Sequence, residues 1–149
     1  MTTLGRTKSA LLVIDVQNQV VDGAYNKDAV IAQINVAVAK ARAAGVPVVW
    51  VQHSDEWMAI DSEDWQIVPQ LVPAAGEALV RKLYRNSFEA TDLEEVLAGL
   101  SVGHVYVCGA QTNNCVRFTG HGALDRGYDV TLLMDAHTTT DFEFAGKTV

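Results

Sequence analysis

Three residues in this sequence can do chemistry by type, and each stands where a short apolar run ends. Asp15 closes "LLVID", Lys82 closes "ALVRK", and Cys115 follows the turn "AQTNN" after "HVYVCG". A carboxylate, an ammonium and a thiol form a set with a defined use. The thiolate is the nucleophile, and a helix N-terminus or a nearby lysine lowers a thiol's pKa from its reference near ~8.5. An adjacent carboxylate can take the proton. In this arrangement Asp15 is the base, Lys82 the electrostatic partner and Cys115 the nucleophile, and no histidine is required. Each also has a plainer role open to it: Asp15 as a turn cap, Lys82 as a solvated charge, Cys115 as a small packing residue. Their shared position at strand ends makes them a candidate site, because open parallel α/β sheets bind ligands outside the carboxyl ends of their strands.

Residues so far apart in sequence meet only if the elements before them lie side by side. Residues 10–15, 46–52, 104–109 and 129–135 are short, rich in β-branched types and apolar nearly throughout. Continuous rather than alternating apolarity predicts strands buried on both faces, as in a parallel sheet. Residues 78–82 are a weaker fifth strand. Helical patterns lie between them, over 28–45, 91–100 and 115–127. Thr91 and Glu94 match a capping box for the second. Gly120 and Gly122 in the third suggest close packing on the sheet. The expected fold class is α/β, a three-layer sandwich with an open, mostly parallel, Rossmann-like sheet, in one domain over residues 1–149. Residues 53–77 show little regular pattern and carry Trp57 and Trp65, which fits a pocket wall or lid.

Composition removes several function classes. A formal charge of −7 argues against nucleic acid and against an anionic membrane surface. No apolar run approaches the ~18 residues of a spanning helix. The first apolar run soon meets Asp15, so it does not read as a signal peptide. The two cysteines do not form a C-x-x-C pair, and Cys108 lies within a strand, so neither a disulfide scaffold nor a redox pair is expected. "DVQNQVVDG" after the first strand is not a glycine-rich phosphate loop. The expectation is a reduced, cytoplasmic protein with no cofactor and a small-molecule substrate.

The segments "LLVIDVQN", "VRKLYRNSF", "CGAQTNNCVR" and "GYDVTLLMDAHTT", in this order and spacing, resemble the isochorismatase-like cysteine hydrolases, a family related to nicotinamidases and carbamoylsarcosine amidohydrolases. The resemblance runs over residues 9–140. It implies the isochorismatase-like hydrolase fold, a catalytic triad of Asp15, Lys82 and Cys115, and a homo-oligomer. It further implies a cis peptide between Ala110 and Gln111, with an oxyanion hole formed by the N–H groups of Gln111 and Cys115. The implied reaction is attack on a small amide or ureido carbonyl, cleavage of the C–N bond, and hydrolysis of a thioester.

Some family members hold a divalent metal through an Asp-x-His element and further histidines. Here His53 matches the histidine, but Val51 takes the place of the aspartate and residues 54–77 contain no histidine. The expected metal is therefore none. Cys115 favours amide chemistry over the vinyl ether cleavage of true isochorismatases, which remains the alternative. Gln17, His53, Trp57 and Trp65 are the candidate substrate-binding residues. The family continues past "DAHTT" with a further helix and strand, so this chain is expected to lack them. An exposed sheet edge would follow, and it motivates the rival reading of an inactive binding or structural relative.

Overall fold

Strands that are apolar on both faces need cover on both sides. The computed structural model, which describes residues 2–149, provides it with helices on either face of one sheet. The strands are β1 (Lys8–Ile14), β2 (Val48–His53), β3 (Ala78–Lys82), β4 (Val102–Ala110) and β5 (Asp129–Thr138). All four pairings are parallel, and the order is β3-β2-β1-β4-β5. The helices are α1 (Lys27–Ala43), α2 (Leu93–Gly99) and α3 (Arg117–Asp125).

Alternate residues of β1 divide between two cores. Leu11 and Val13 pack with Val30, Ile34 and Val38, the apolar stripe of α1. Ala10, Leu12 and Ile14 pack with Leu93 and Leu97 of α2 and Ala123 of α3. Each such side chain contributes roughly 1.5–3 kcal/mol when fully buried. The expected three-layer α/β sandwich is therefore the observed fold. The order of strands reverses at the β1–β4 pair, which opens a crevice beyond their carboxyl ends.

Several local expectations need correction. The Thr91–Glu94 capping box does not form. Asp92 is the N-cap residue of α2 and makes no side-chain cap. Thr91 Oγ1 instead accepts from Leu93 N (3.3 Å) and donates to Ser87 O (2.6 Å), and Glu94 turns to Arg6 (3.2 Å). Gly122 is tightly packed, but against the Asn86 side chain rather than the sheet, where an added Cβ would lie 2.5 Å from Asn86 Nδ2. The third helix begins at Arg117, not at Cys115, because Thr112–Val116 forms a wider turn closed by Val116 N–H on Gln111 O (3.2 Å).

Beyond β5 lies a short antiparallel hairpin, β6 (Glu143–Phe144) with β7 (Lys147–Thr148). It stands apart from the main sheet, so β5 is an edge strand, with Leu132 47 % and Met134 82 % exposed. The expectation that residues 129–135 are buried on both faces therefore fails: none of them is buried, because among the described residues nothing pairs with the outer side of this strand. Among the described residues no helix is long and apolar enough to cross a membrane.

Candidate active site

The three reactive residues meet at the carboxyl edge of the sheet. Asp15 directly follows β1 and leaves it with φ 49. Asp tolerates that left-handed region better than most residues, and such a conformation at a strand end points to function. Lys82 is the last residue of β3, and Cys115 stands in the turn between β4 and α3. Gly109 in β4 makes the approach possible: at φ 119, a Cβ there would lie 2.0 Å from Ile14 O. The peptide that follows, Ala110–Gln111, is cis. His137 Nδ1 braces the turn through Thr112 Oγ1 at 2.8 Å.

Lys82 Nζ lies 2.7 Å from Asp15 Oδ2 and 3.3 Å from Cys115 Sγ. Both Asp15 and Lys82 are buried. Asp15 Oδ1 is buried and has no hydrogen-bond partner of ordinary geometry among the described residues, although the carboxylate and the Cys115 thiol are close enough to act on each other's proton affinity. Burial raises the Asp15 carboxyl above its ordinary range, against the lowering pull of Lys82. Burial also pushes the Cys115 thiol up to about 12, and Asp15 adds to the rise while Lys82 opposes it. This corrects the expectation of a thiol made acidic by its setting. The resting site holds a protonated thiol beside a carboxylate whose proton affinity is raised.

Asp15 and Cys115 line a cavity of about 850 Å³ whose walls include His53, Asp55, Trp57, Tyr84, Arg85 and Phe118, with Lys82 buried behind them. Of the four substrate-binding candidates, His53 and Trp57 line it, and Trp57 stands 77 % exposed at its rim. Gln17 and Trp65 do not. Gln17 is fully buried and spent on backbone groups: its Nε2 donates to His53 O (2.9 Å) and Trp65 O (2.8 Å), and its Oε1 accepts from His53 N (2.8 Å). Trp65 is buried under the Arg81 guanidinium, 5.3 Å from the ring centroid. Asp55 was not among the candidates, because an acidic residue in an irregular segment reads as a solvated loop charge. The wall from Leu83 to Asn86 also went unmarked, although its position directly after the β3 end was a usable signal.

The residues do not fit a divalent metal. Both ring nitrogens of His53 are engaged, Nδ1 by Lys82 Nζ at 3.2 Å and Nε2 by Asp55 Oδ2 at 3.3 Å. An ammonium at that distance repels a cation, Val51 offers no side-chain oxygen, and its carbonyl oxygen already accepts from Asp15 N (2.9 Å). Among the described residues no group of three or more His, Cys, Asp or Glu stands together as a ligand set.

Fold and site together define an α/β protein with its reactive carboxylate, ammonium and thiol gathered at the sheet's switch point. The Isochorismatase domain family model matches residues 9–147. The chain belongs to the isochorismatase family of hydrolases. A streptothricin hydrolase from Streptomyces noursei is 36% identical over 146 residues, covering 94% of this chain and 58% of that protein. The chain spans 51% of a second streptothricin hydrolase from the same organism, so it covers little more than half of these relatives. The ureidoacrylate amidohydrolase RutB of Enterobacter sp. (strain 638) is 29% identical over 187 aligned positions, covering 97% of this chain and 81% of that one. The crystal structure of an isochorismatase from Pseudomonas putida KT2440 superposes with a TM-score of 0.88 at 30% identity, covering 97% of this chain and 79% of that chain.

Proposed function

We propose that this chain is a metal-independent cysteine hydrolase that cleaves a C–N bond of a small amide or ureido compound. The observation that carries the reading is the Lys82 ammonium between Asp15 (2.7 Å) and Cys115 (3.3 Å), with Asp15 Oδ1 left without a hydrogen bond of its own. As the substrate carbonyl approaches, Asp15 takes the thiol proton and Sγ bonds to the carbonyl carbon. A thiol held near 12 is deprotonated during attack rather than before it. Negative charge on the carbonyl oxygen is met by the N–H groups of Gln111 and Cys115. The C–N bond then breaks and Asp15 returns the proton to the leaving nitrogen. Water attacks the thioester with Asp15 again as base, and the thiol recovers its proton as the C–S bond breaks. The relatives named as streptothricin hydrolase and ureidoacrylate amidohydrolase support hydrolysis of this general kind.

Both cysteines are free, and the mechanism needs Cys115 reduced, which favours a reducing compartment. Self-association is part of the reading, and the exposed Leu132 and Met134 of the β5 edge are consistent with it. The test is ammonia release from a panel of small amides, ureido acids and nicotinamide, with Cys115→Ala alongside. Release by the native chain that Cys115→Ala abolishes, together with an acyl adduct on Cys115 in intact mass spectra, is the expected result. Equal release by the variant would remove Cys115 as nucleophile.

A further inference from the structure

An ammonium has three N–H donors and no acceptor. Lys82 places its Nζ within reach of three acceptors: Asp15 Oδ2 at 2.7 Å, Cys115 Sγ at 3.3 Å and His53 Nδ1 at 3.2 Å. For His53 Nδ1 to accept, it must be unprotonated, so the ring proton belongs on Nε2. That atom lies 3.3 Å from Asp55 Oδ2. Asp55 is itself fixed, since its Oδ1 accepts from the N–H groups of Trp57 (2.9 Å) and Met58 (2.8 Å). The chain of contacts runs without a gap from the irregular segment after β2 to the nucleophile.

We propose that His53 and Asp55 are positioning residues: Asp55 holds the imidazole as its Nε2–H tautomer, and the Nδ1 lone pair takes the third N–H of Lys82, which aims the other two at Asp15 and Cys115. The proposal rests on the reading that Lys82 serves Cys115. The charged groups facing His53 are Lys82 from β3, Asp15 from the end of β1 and Asp55 from the following segment. Burial, and then Lys82, hold the imidazole below its ordinary pKa, although Asp15 and Asp55 pull the other way. The neutral ring is the form the geometry needs, because a protonated one would set two cations 3.2 Å apart. Without the Nδ1 acceptor, a buried N–H of Lys82 loses its partner. The ammonium then turns, and its lowering pull on the Cys115 thiol weakens.

The full chain is labelled with 15N-histidine, and long-range 1H–15N spectra identify His53 among the four histidines by the signal missing from His53→Asn. At pH 7 the expected form is the neutral Nε2–H tautomer. In parallel, the rate of Cys115 alkylation by iodoacetamide is followed against pH by peptide mass spectrometry. His53→Leu is expected to slow it by roughly tenfold at a given pH, which is one unit of thiol pKa. His53→Asn, whose side-chain oxygen can accept from Lys82 without a tautomer choice, is expected to restore the native profile to within about threefold, on that same scale of roughly tenfold per unit. A loss that was only structural would not be rescued by asparagine. An Nδ1–H or doubly protonated His53 at pH 7 would overturn the proposal, as would a His53→Leu profile equal to the native one. The tautomer is read from the native chain, so the proposal stays testable if His53→Leu does not fold. Ammonia release that survives Cys115→Ala would defeat the reading of Cys115 as nucleophile while leaving the tautomer and alkylation results to stand.

Discussion

At the scale of single residues, the site works through opposed effects on one proton. Burial and Asp15 both favour the Cys115 thiol over the thiolate, and Lys82 favours the thiolate. The same carboxylate that suppresses the resting thiolate is the group proposed to accept its proton. Two measurements therefore move in opposite directions when Asp15 is changed. Asp15→Asn removes a negative charge beside Sγ, so the thiol pKa falls below about 12 and alkylation at a given pH speeds up. It also removes the base, so ammonia release falls by roughly 10²–10⁴-fold, the usual contribution of a general base. Faster alkylation with lost turnover is the expected pair, read by iodoacetamide kinetics and the ammonia assay on one preparation. Alkylation that slows together with turnover would mean that Asp15 promotes the resting thiolate, contrary to the proposed order of events. That Asp15, Lys82 and Cys115 meet at one sheet edge was legible in the sequence because each closes or soon follows a strand run. Asp55 was not, because its distinguishing features are its contacts: the His53 ring and two backbone N–H groups.

At the scale of elements, the site depends on how the irregular segment after β2 is tied to the sheet. Gln17 is the tie, and it reaches backbone groups 36 and 48 residues away. A polar residue near a candidate catalytic carboxylate reads from sequence as a substrate ligand, and nothing in its neighbourhood reveals distant carbonyls. The strand pattern was legible for the opposite reason. Burial on both faces leaves its mark within the runs of β1, β2 and β4, and β3 was weakest because it alternates buried Val80 and Lys82 with exposed Leu79 and Arg81. The run of β5 is apolar without being buried. Gln17→Leu keeps much of the volume and deletes every hydrogen bond of the side chain. His53 N and His53 O then lose a side-chain partner, and Trp65 O keeps only Gln52 Nε2 at 3.2 Å. The expected loss of stability is about 2–4 kcal/mol, given roughly 1–3 kcal/mol for each buried polar group left unsatisfied and partial recovery by water. Urea denaturation measures it, and hydrogen exchange at the His53 amide should report lost protection at the same place. An unchanged urea midpoint with an unchanged His53 amide would show that the segment is held by its other contacts.

At the scale of the whole molecule, a second charged cluster joins the layers far from the reactive edge. Glu77 accepts from Arg42 of α1 at both oxygens (2.7 and 3.0 Å), from Trp50 Nε1 of β2 (2.7 Å) and from Ala74 N (2.8 Å). One carboxylate thus connects a helix, a core strand and the loop that leads into β3. The three-layer sandwich could be read from periodicity, but this connection could not, since it depends on which loop returns beside which strand. Arg42, first among these partners, holds the Glu77 carboxyl down from 4.5 to about 2. A carboxyl with a depressed folded pKa stabilises the fold above its unfolded pKa, and the benefit is lost as pH falls through the folded value. The window here runs from about 4.5 down to about 2. At roughly 1.4 kcal/mol per unit the ceiling is about 3.5 kcal/mol, and solvent around the half-exposed Arg42 reduces it to about 2 kcal/mol. Glu77→Gln is therefore expected to be about 2 kcal/mol less stable than the native chain at pH 7, with the gap narrowing steadily as pH falls below 4.5. Urea unfolding of both proteins at pH 7, 5, 4 and 3 measures the gap, and carboxylates common to both cancel in the difference. A gap that stays constant over that range would mean that Glu77 acts through its neutral hydrogen bonds to Trp50 and Ala74, with the ion pair contributing nothing to the joining of the layers.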